Sequence, residues 1–294
     1  MSAMVYSDIF RKIQNKYIDY PDEITIETTG KCNAKCKFCP HYELDRRFID
    51  MEDSLFFKII GDLKEIPINH KFNISPFKVN EPLMDNKFFE KIGVINTELP
   101  NANIRFFSNF NMATFNDIER LSKIKNLDTL WISLNEIEAD RYKEVMGLEL
   151  DKTLDNIKNL LEFNKKYKII DKVSISRVAD DTSKDIEFKN KFDRIFGKYS
   201  SEYDIKFIKR AEWIDFLGKQ HEVPGNEPCL RWFEVNITCT GKVALCCMDG
   251  KGEYCIGDVN EQSVLEIYNR KEYRELRENI YPRKFIAPCN RCSL

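Results

Sequence analysis

The sequence predicts an α/β protein with a parallel sheet, followed by a small C-terminal part of different character. Between residues 22 and 210, short runs rich in Ile, Val, Phe and Thr alternate with helical patterns. After about residue 211 this alternation stops. The ten cysteines are confined to two segments, with three at 32–39 and seven at 229–292. Together these observations separate a large core from a cysteine-rich end.

Six runs in the core have the length and composition of strands. They are Glu23–Thr28, Lys71–Ser75, Asn103–Phe107, Thr129–Leu134, Val173–Val178 and Tyr203–Ile208. The clearest helix places Leu55, Phe56, Ile59, Ile60 and Leu63 on one face, with Asp50 or Asp53 near its start. A second helix carries Leu154, Ile157, Leu160 and Leu161. Strands that alternate with helices form parallel sheets with right-handed crossovers, but periodicity alone does not say whether this sheet is open or curled.

The C-terminal part begins with turn residues. Pro224, Gly225 and Pro228 predict a linker, and the segments flanking Gly241, at 234–238 and 242–245, predict a β-hairpin. Residues 263–280 predict one charged amphipathic helix. We therefore expect an N-terminal extension at 1–21, a core domain at 22–215 and a small domain at 216–294.

Composition narrows the class of protein. The chain has 294 residues, of which 43% are hydrophobic and 32% charged, with a net charge of −2. These values are ordinary for a soluble globular protein and provide no field that would favour nucleic acid or an anionic membrane as a partner. No apolar run approaches the roughly 18 residues that cross a bilayer, and residues 1–20 lack a secretory apolar core. We expect a cytoplasmic protein, whose cysteines serve as ligands rather than disulfides.

The first cysteine group is spaced C-x3-C-x2-C. It comprises Cys32, Cys36 and Cys39, and Phe38 directly precedes the third cysteine. A structural zinc site takes four protein ligands, whereas a [4Fe–4S] cluster held by three thiolates keeps one iron open for another molecule. His41 stands only two residues past Cys39, too near for comfortable tetrahedral geometry. A zinc half-site or buried structural cysteines are the alternatives.

This segment resembles the signature of the radical S-adenosylmethionine (radical SAM) enzymes. The resemblance implies a partial (β/α)6 TIM-like barrel, with the cysteine loop at the C-terminal rim after strand one. It also implies a [4Fe–4S] cluster on Cys32, Cys36 and Cys39 that binds SAM. In this family, reductive cleavage of SAM yields a 5′-deoxyadenosyl radical that abstracts hydrogen from substrate. The electron would come from a donor such as flavodoxin or ferredoxin.

Further segments resemble the SAM-binding elements of that family. Asn80-Glu81-Pro82-Leu83 is similar to its Gly-Glu-Pro-Leu element, although Val79-Asn80 stands where glycines are usual; Glu81 would bind the amino group of SAM. The runs at 107–110 and 132–135 are similar to its Thr-Asn-Gly and Ile-Ser-Leu-Asp elements. The resemblance thus implies SAM contacts for Phe38, Asn109, Ser133 and Arg177. For Glu81, Ser133 and Arg177, ordinary structural roles are the alternative.

The second cysteine group resembles the twitch domain, a shortened SPASM domain with one auxiliary [4Fe–4S] cluster. The matching positions are Cys229, Gly241, Cys246, Cys289 and Cys292, and the resemblance makes the four cysteines its ligands. Cys247 is the rival to Cys246, because neighbouring side chains in a strand point to opposite faces. We expect Cys239 and Cys255 to be buried structural thiols. Because the sequence stops at Leu294, no second auxiliary cluster is expected; a zinc ribbon is the alternative for the whole group.

A four-thiolate cluster has no open iron, so its use is electron transfer. The relatives imply oxidation of a secondary alcohol on a sugar, an aminocyclitol or another small polar substrate. Arg177, Lys78, His221 and Arg231 are candidates for the base that removes the hydroxyl proton, and the sequence does not choose among them. Modification of a ribosomal peptide is the main rival, disfavoured because only about 22 residues precede the first strand. A non-catalytic iron–sulfur electron carrier is a third hypothesis.

Overall fold

The computed structural model describes residues 3–179, 182–214, 216–217, 227–279 and 281–292. In these residues the strands are β1 Glu23–Ile26, β2 Phe72–Ser75, β3 Ala102–Ser108, β4 Leu127–Ser133, β5 Val173–Val178, β6 Tyr203–Ile208, β7 Glu234–Ile237, β8 Lys242–Ala244 and β9 Cys255–Asp258. The α-helices are α1 Ala3–Tyr17, α2 Asp53–Leu63, α3 Phe88–Glu98, α4 Phe115–Leu121, α5 Ala139–Met146, α6 Leu150–Tyr167, α7 Thr182–Phe196, α8 Val264–Tyr268 and α9 Lys271–Glu278.

Strands β1 to β6 form the predicted parallel sheet. Each pairs in parallel with the next along the chain, and helices α2 to α7 occur in the connections between them. All six predicted strands are confirmed, with ends that differ by two residues or fewer. The sheet runs from edge strand β6 to edge strand β9. It is therefore an open, partial barrel rather than a closed one.

The C-terminal strands continue this sheet. The predicted hairpin of β7 and β8 is confirmed as an antiparallel pair. Its first strand, β7, also pairs in parallel with β1, with Ile24 opposite Val235. The sequence predicts this part as separate from the core, because pairing between residues 211 positions apart leaves no local signal. The pairing brings the C-terminal segment beside the strand that precedes the first cysteine group.

The single helix predicted at 263–280 is wrong, because the chain breaks into α8 and α9 around Arg270, whose backbone is extended at φ −54° and ψ 136°. The break lets Tyr268 and Tyr273 both pack against one cation. The guanidinium carbon of Arg277 lies 3.6 Å from the first ring centroid and 5.0 Å from the second. Arg277 is fully buried, although its sequence context indicates an exposed face.

The helices cover the sheet with the faces that their periodicity predicts. In α2 the five predicted core residues are all buried. In α6, Ile157, Leu160 and Leu161 are buried and Leu154 is partly buried. Helix α1 packs on the C-terminal part, where the ring centroids of Phe10 and Phe233 lie 5.3 Å apart.

Across the described residues, no helix is long and apolar enough to cross a membrane. Of the predicted linker, Pro224 and Gly225 lie outside those residues.

Candidate functional site

The first cysteine group lies in the loop that leaves β1. This loop is fixed by backbone bonds to α5, where Lys35 N–H donates to Met146 O at 2.7 Å and Lys37 N–H donates to Val145 O at 3.1 Å. Within the loop, Cys39 N–H donates to Cys36 O at 3.1 Å. Because the anchoring bonds come from the backbone, they hold the loop without occupying the thiols.

The three thiols share one desolvated environment. Burial raises the pKa of Cys32 to about 12 and that of Cys39 to about 11. Beyond burial, the pKa of Cys36 is raised by Cys39 and Cys32, so all three sulfurs are within electrostatic reach of one another. Thiolates crowded together need a compensating cation, which an iron–sulfur cluster supplies. In the described ranges, no three His, Cys, Asp or Glu side chains are placed to hold a single metal ion.

Glu81 lies beside this thiol group. Its side chain is 2% exposed and accepts hydrogen bonds from Ser108 Oγ at 2.6 Å, Asn109 N–H at 2.7 Å and Leu83 N–H at 3.2 Å. Despite these donors, burial raises its pKa to about 7. The carboxylate adds in turn to the raised pKa of Cys32. Glu81 is thus a buried carboxyl group without a cationic side chain among these contacts, as a site for a ligand's amino group requires.

Asn109 and Phe38 also lie next to the cysteine loop. Asn109 Nδ2 donates to Asn33 Oδ1 at 2.8 Å, which ties the end of β3 to the loop. Phe110, at the position of the family's glycine, has a left-handed φ of 57° and is fully buried. Phe38 is partly buried, and its carbonyl accepts from Trp213 Nε1 at 2.8 Å. Asn109 and Glu81 therefore approach the loop that contains Phe38 and the three cysteines.

Ser133 and Arg177 lie further along the same rim. Ser133, at the end of β4, pairs in register with Ser176. Arg177 is 1% exposed, and its guanidinium forms ion pairs with Glu136 at 3.1 Å and Asp185 at 3.0 Å. The positive charge of Arg177 is thereby balanced within the protein, and the side chain ties the segment after β4 to α7.

Part of the second cysteine group lines one cavity. All four predicted auxiliary ligands line it: Cys229, Cys246, Cys289 and Cys292. Cys247 is absent from the described lining; its nearest charged groups include Glu234 and Arg231. Both adjacent cysteines follow β8 in a turn rather than lying in the strand. The structure therefore brings together four thiols from three separate stretches of chain.

The donor set of this cavity fits an iron–sulfur cluster. Four thiols supply the complete protein ligation of a [4Fe–4S] cluster. Two further lining side chains, Trp232 and Arg283, carry buried N–H groups without a hydrogen-bond partner among the described residues. Buried donors are normally paired, and the sulfur atoms of a cluster are acceptors.

The two remaining cysteines differ from each other. Cys239 is buried, as predicted. The prediction that Cys255 is buried is wrong, because it is exposed at the start of the edge strand β9, where its thiol donates to Gly257 O at 2.9 Å.

Glu27 and Arg46, which the sequence analysis missed, connect the two cysteine groups. Glu27 is fully buried and receives Arg46 Nη2 at 3.1 Å and Cys239 N–H at 3.1 Å. Arg46 also donates to Gly250 O at 2.7 Å. A carboxylate directly after the apolar run of β1 is the signal that could have marked Glu27.

The candidate bases are dispersed. Lys78 is buried, which lowers its pKa, and its Nζ donates to Asp249 O at 2.7 Å. Arg231 forms an ion pair with Glu234, which holds the pKa of its guanidinium above the usual range. His221 lies outside the described residues. Among the described candidates, Lys78 is the one whose pKa is lowered, and burial is the main cause.

Comparison with known proteins agrees with this geometry. Residues 229–293 match the SPASM family, an iron–sulfur cluster-binding domain. The GTP 3′,8-cyclase of Clostridium perfringens is 27% identical over 203 residues, which are 67% of this chain and 58% of that protein. The chain thus matches less than two thirds of that relative.

Solved structures share the fold. The crystal structure of BtrN in complex with AdoMet and 2-DOIA superposes with a TM-score of 0.62 at 15% identity, covering 93% of both chains. The structure of anSMEcpe with bound AdoMet gives 0.64 at 16% identity, over 92% of this chain and 84% of that one. SuiB of Streptococcus suis, bound to S-adenosylmethionine, gives 0.56 at 16% identity, over 91% and 70%.

These matches show two properties of the chain. Its fold is shared with BtrN and anSMEcpe, whose structures contain AdoMet. Its C-terminal residues 229–293 match an iron–sulfur cluster-binding domain.

Proposed function

We propose that this protein is a radical SAM oxidoreductase that oxidises a secondary alcohol of a small polar substrate. The observation that carries this proposal is the pairing of a three-thiol loop with a separate four-thiol cavity. Three ligands leave an iron open for SAM, and four ligands make a closed cluster suited to electron transfer. When bound, these groups supply a 5′-deoxyadenosyl radical and an electron acceptor.

We assign roles at the first cysteine group from the position of each side chain relative to the three thiols. Cys32, Cys36 and Cys39 hold the SAM-binding cluster. Glu81 receives the amino group of SAM, which its burial and lack of a cationic neighbour among its contacts support. Asn109 orients the loop through Asn33 and contacts SAM.

Three more residues complete the proposed SAM site. Phe38 lies against the adenine, and Ser133 contacts the ribose or carboxylate. Arg177 contributes by ordering the segment that follows Ser133, since its guanidinium is held by Glu136 and Asp185.

At the second centre, we assign Cys229, Cys246, Cys289 and Cys292 as the ligands of one auxiliary [4Fe–4S] cluster. Their shared cavity supports this set, and the presence of Cys246 in its lining supports Cys246 over Cys247. Lys78 is our candidate for the group that accepts the hydroxyl proton. Its burial and its bond to Asp249 O place it against the C-terminal part.

A sugar or aminocyclitol is the proposed substrate, and flavodoxin or ferredoxin the proposed electron donor. The match with the structure of BtrN in complex with AdoMet and 2-DOIA, which spans 93% of each chain, supports a small molecule. The direct test is anaerobic reduction with SAM and a panel of polyols deuterated at each carbinol carbon. We expect 5′-deoxyadenosine that carries deuterium, together with a ketone product. Undeuterated 5′-deoxyadenosine and no ketone across the panel would contradict this substrate class.

Peptide modification is the second candidate function. It is favoured by the fold match to SuiB bound to precursor peptide SuiA, with a TM-score of 0.57, and to anSMEcpe with bound AdoMet and Cp18Cys peptide, at 0.63. If short peptides rather than polyols stimulate 5′-deoxyadenosine release, this function replaces the first. An electron carrier would release no 5′-deoxyadenosine under any of these conditions.

A further inference from the structure

The four-cysteine cavity contains two buried hydrogen-bond donors that face cysteine sulfur rather than oxygen or nitrogen acceptors. Trp232 Nε1 and Arg283 Nε are both buried without a hydrogen bond of normal geometry among the described residues, and the indole N–H faces the Cys289 sulfur. Trp232 is only 1% exposed, so its indole N–H has no access to solvent. An unpaired buried donor costs about 1–3 kcal/mol. The occupant of the cavity must therefore supply acceptors.

Both donors are close to the cysteine sulfurs. Arg283 is within electrostatic reach of Cys229 and Cys289, and the Trp232 indole lies beside Cys289. The other lining guanidinium, Arg231, is ion-paired with Glu234. Arg283 lines the cavity with its Nε buried. It therefore brings a positive charge next to the sulfurs of Cys229 and Cys289.

We propose that Trp232 and Arg283 raise the reduction potential of the auxiliary cluster by donating N–H groups to its sulfur atoms. This inference rests on the proposed function, which assigns a cluster to the cavity. Each added electron increases the negative charge on the cluster, so donors and a cation stabilise the reduced state more than the oxidised state. The two side chains make the cluster a better acceptor for the electron that the substrate loses.

The test is a potentiometric titration of the reconstituted full chain, followed by electron paramagnetic resonance. It is run both in the otherwise unchanged protein and in a variant in which Cys32, Cys36 and Cys39 are replaced by Ala. Because that variant lacks the SAM-binding cluster, its signal comes from the auxiliary cluster alone. Trp232→Phe keeps the ring and removes the N–H, and Arg283→Gln removes the charge. We expect each to lower the equilibrium constant for one-electron reduction about tenfold, the scale of a hydrogen bond to a charged group, which is about 59 mV.

Trp131→Phe on β4 is the matched control and should leave the auxiliary potential unchanged. If the cluster forms in both variants and titrates at the unsubstituted potential, the inference is overturned while the proposed function stands. If the unsubstituted protein holds no second cluster, the proposed function itself fails. A shift in Arg283→Gln alone would assign the effect to charge and exclude the indole.

Discussion

At the scale of single residues, Glu81 has the most constrained environment of the candidate site. Three donors hold its carboxylate in place, and burial still raises its pKa to about 7. The protonated form is therefore favoured to a higher pH than for an exposed Glu. A bound amino group would favour the ionised form, so ligand binding and the ionisation of Glu81 are linked.

This linkage predicts the pH dependence of SAM binding. Because binding to the carboxylate requires loss of its proton, the dissociation constant should rise up to about tenfold per unit as the pH falls below about 7. Equilibrium binding to the reconstituted protein between pH 5.5 and about 8 measures this. Glu81→Gln keeps the acceptor for Ser108 and should bind weakly with a flat profile. An equally steep profile in that variant would assign the titration to another group.

Gly30 precedes the first cysteine group and admits no side chain. An added Cβ would lie 2.0 Å from Arg46 O and 3.3 Å from Cys239 Sγ. Gly30→Ala should therefore cost about 1–3 kcal/mol or more in the free energy of unfolding, because backbone must move. Denaturant titration measures the loss, and iron content should fall with it.

Gly61, inside α2, is the matched control. Nothing lies within 4 Å of an added Cβ there. Gly61→Ala should stabilise by about 0.5–1 kcal/mol through helix propensity. If the two glycines gave the same change, the close approach at Gly30 would be refuted.

At the scale of elements, the turn after β8 decides the auxiliary ligand set. Cys246 lines the cavity and Cys247 does not appear in its described lining. Cys246→Ala should remove the auxiliary cluster, leaving about four irons per chain, while Cys247→Ala should keep about eight. Iron and sulfide analysis after reconstitution measures both. The reverse pattern would make Cys247 the ligand.

The sequence predicts the elements whose signal is local. Hydrophobic runs identify β1 to β6 and the buried face of α2. It does not predict the break at Arg270, because the accompanying contacts are tertiary: Arg277 is buried against two tyrosine rings. The pairing of β7 with β1 is likewise invisible locally.

Some residues of the candidate site can be predicted from the sequence, and others are recognisable only in the fold. The short spacing of Cys32, Cys36 and Cys39 identifies the first group. The resemblance to the twitch domain predicts the four cysteines that share a cavity. Trp232 and Arg283 become recognisable only when the fold leaves their N–H groups unpaired. The exposure of Cys255 is not predictable from the sequence, because it follows from the edge position of β9, which depends on the strand order.

At the scale of the whole molecule, a buried ion pair joins the core to the C-terminal part. Arg46 is 7% exposed, pairs with Glu27 and reaches the carbonyls of Gly250 and Lys251. Arg46→Met should destabilise by about 3–5 kcal/mol, because it leaves a buried carboxylate unpaired. Thermal or denaturant unfolding measures this loss.

The exposed pair of Lys64 and Glu98 provides the control. Lys64→Met should change the unfolding free energy by about 1 kcal/mol or less. If Arg46→Met lowered the unfolding free energy by as little as Lys64→Met, Glu27 and Arg46 would not connect the two parts of the molecule.

The central claim is that one chain holds two distinct [4Fe–4S] clusters. Mössbauer spectroscopy with iron, sulfide and zinc analysis tests it most directly, on three proteins: the unsubstituted chain, the Cys32, Cys36 and Cys39→Ala variant, and the Cys229, Cys246, Cys289 and Cys292→Ala variant. We predict about eight irons for the first and about four, as one [4Fe–4S] cluster, for each of the others. About four irons with bound zinc in the unsubstituted chain would contradict the claim.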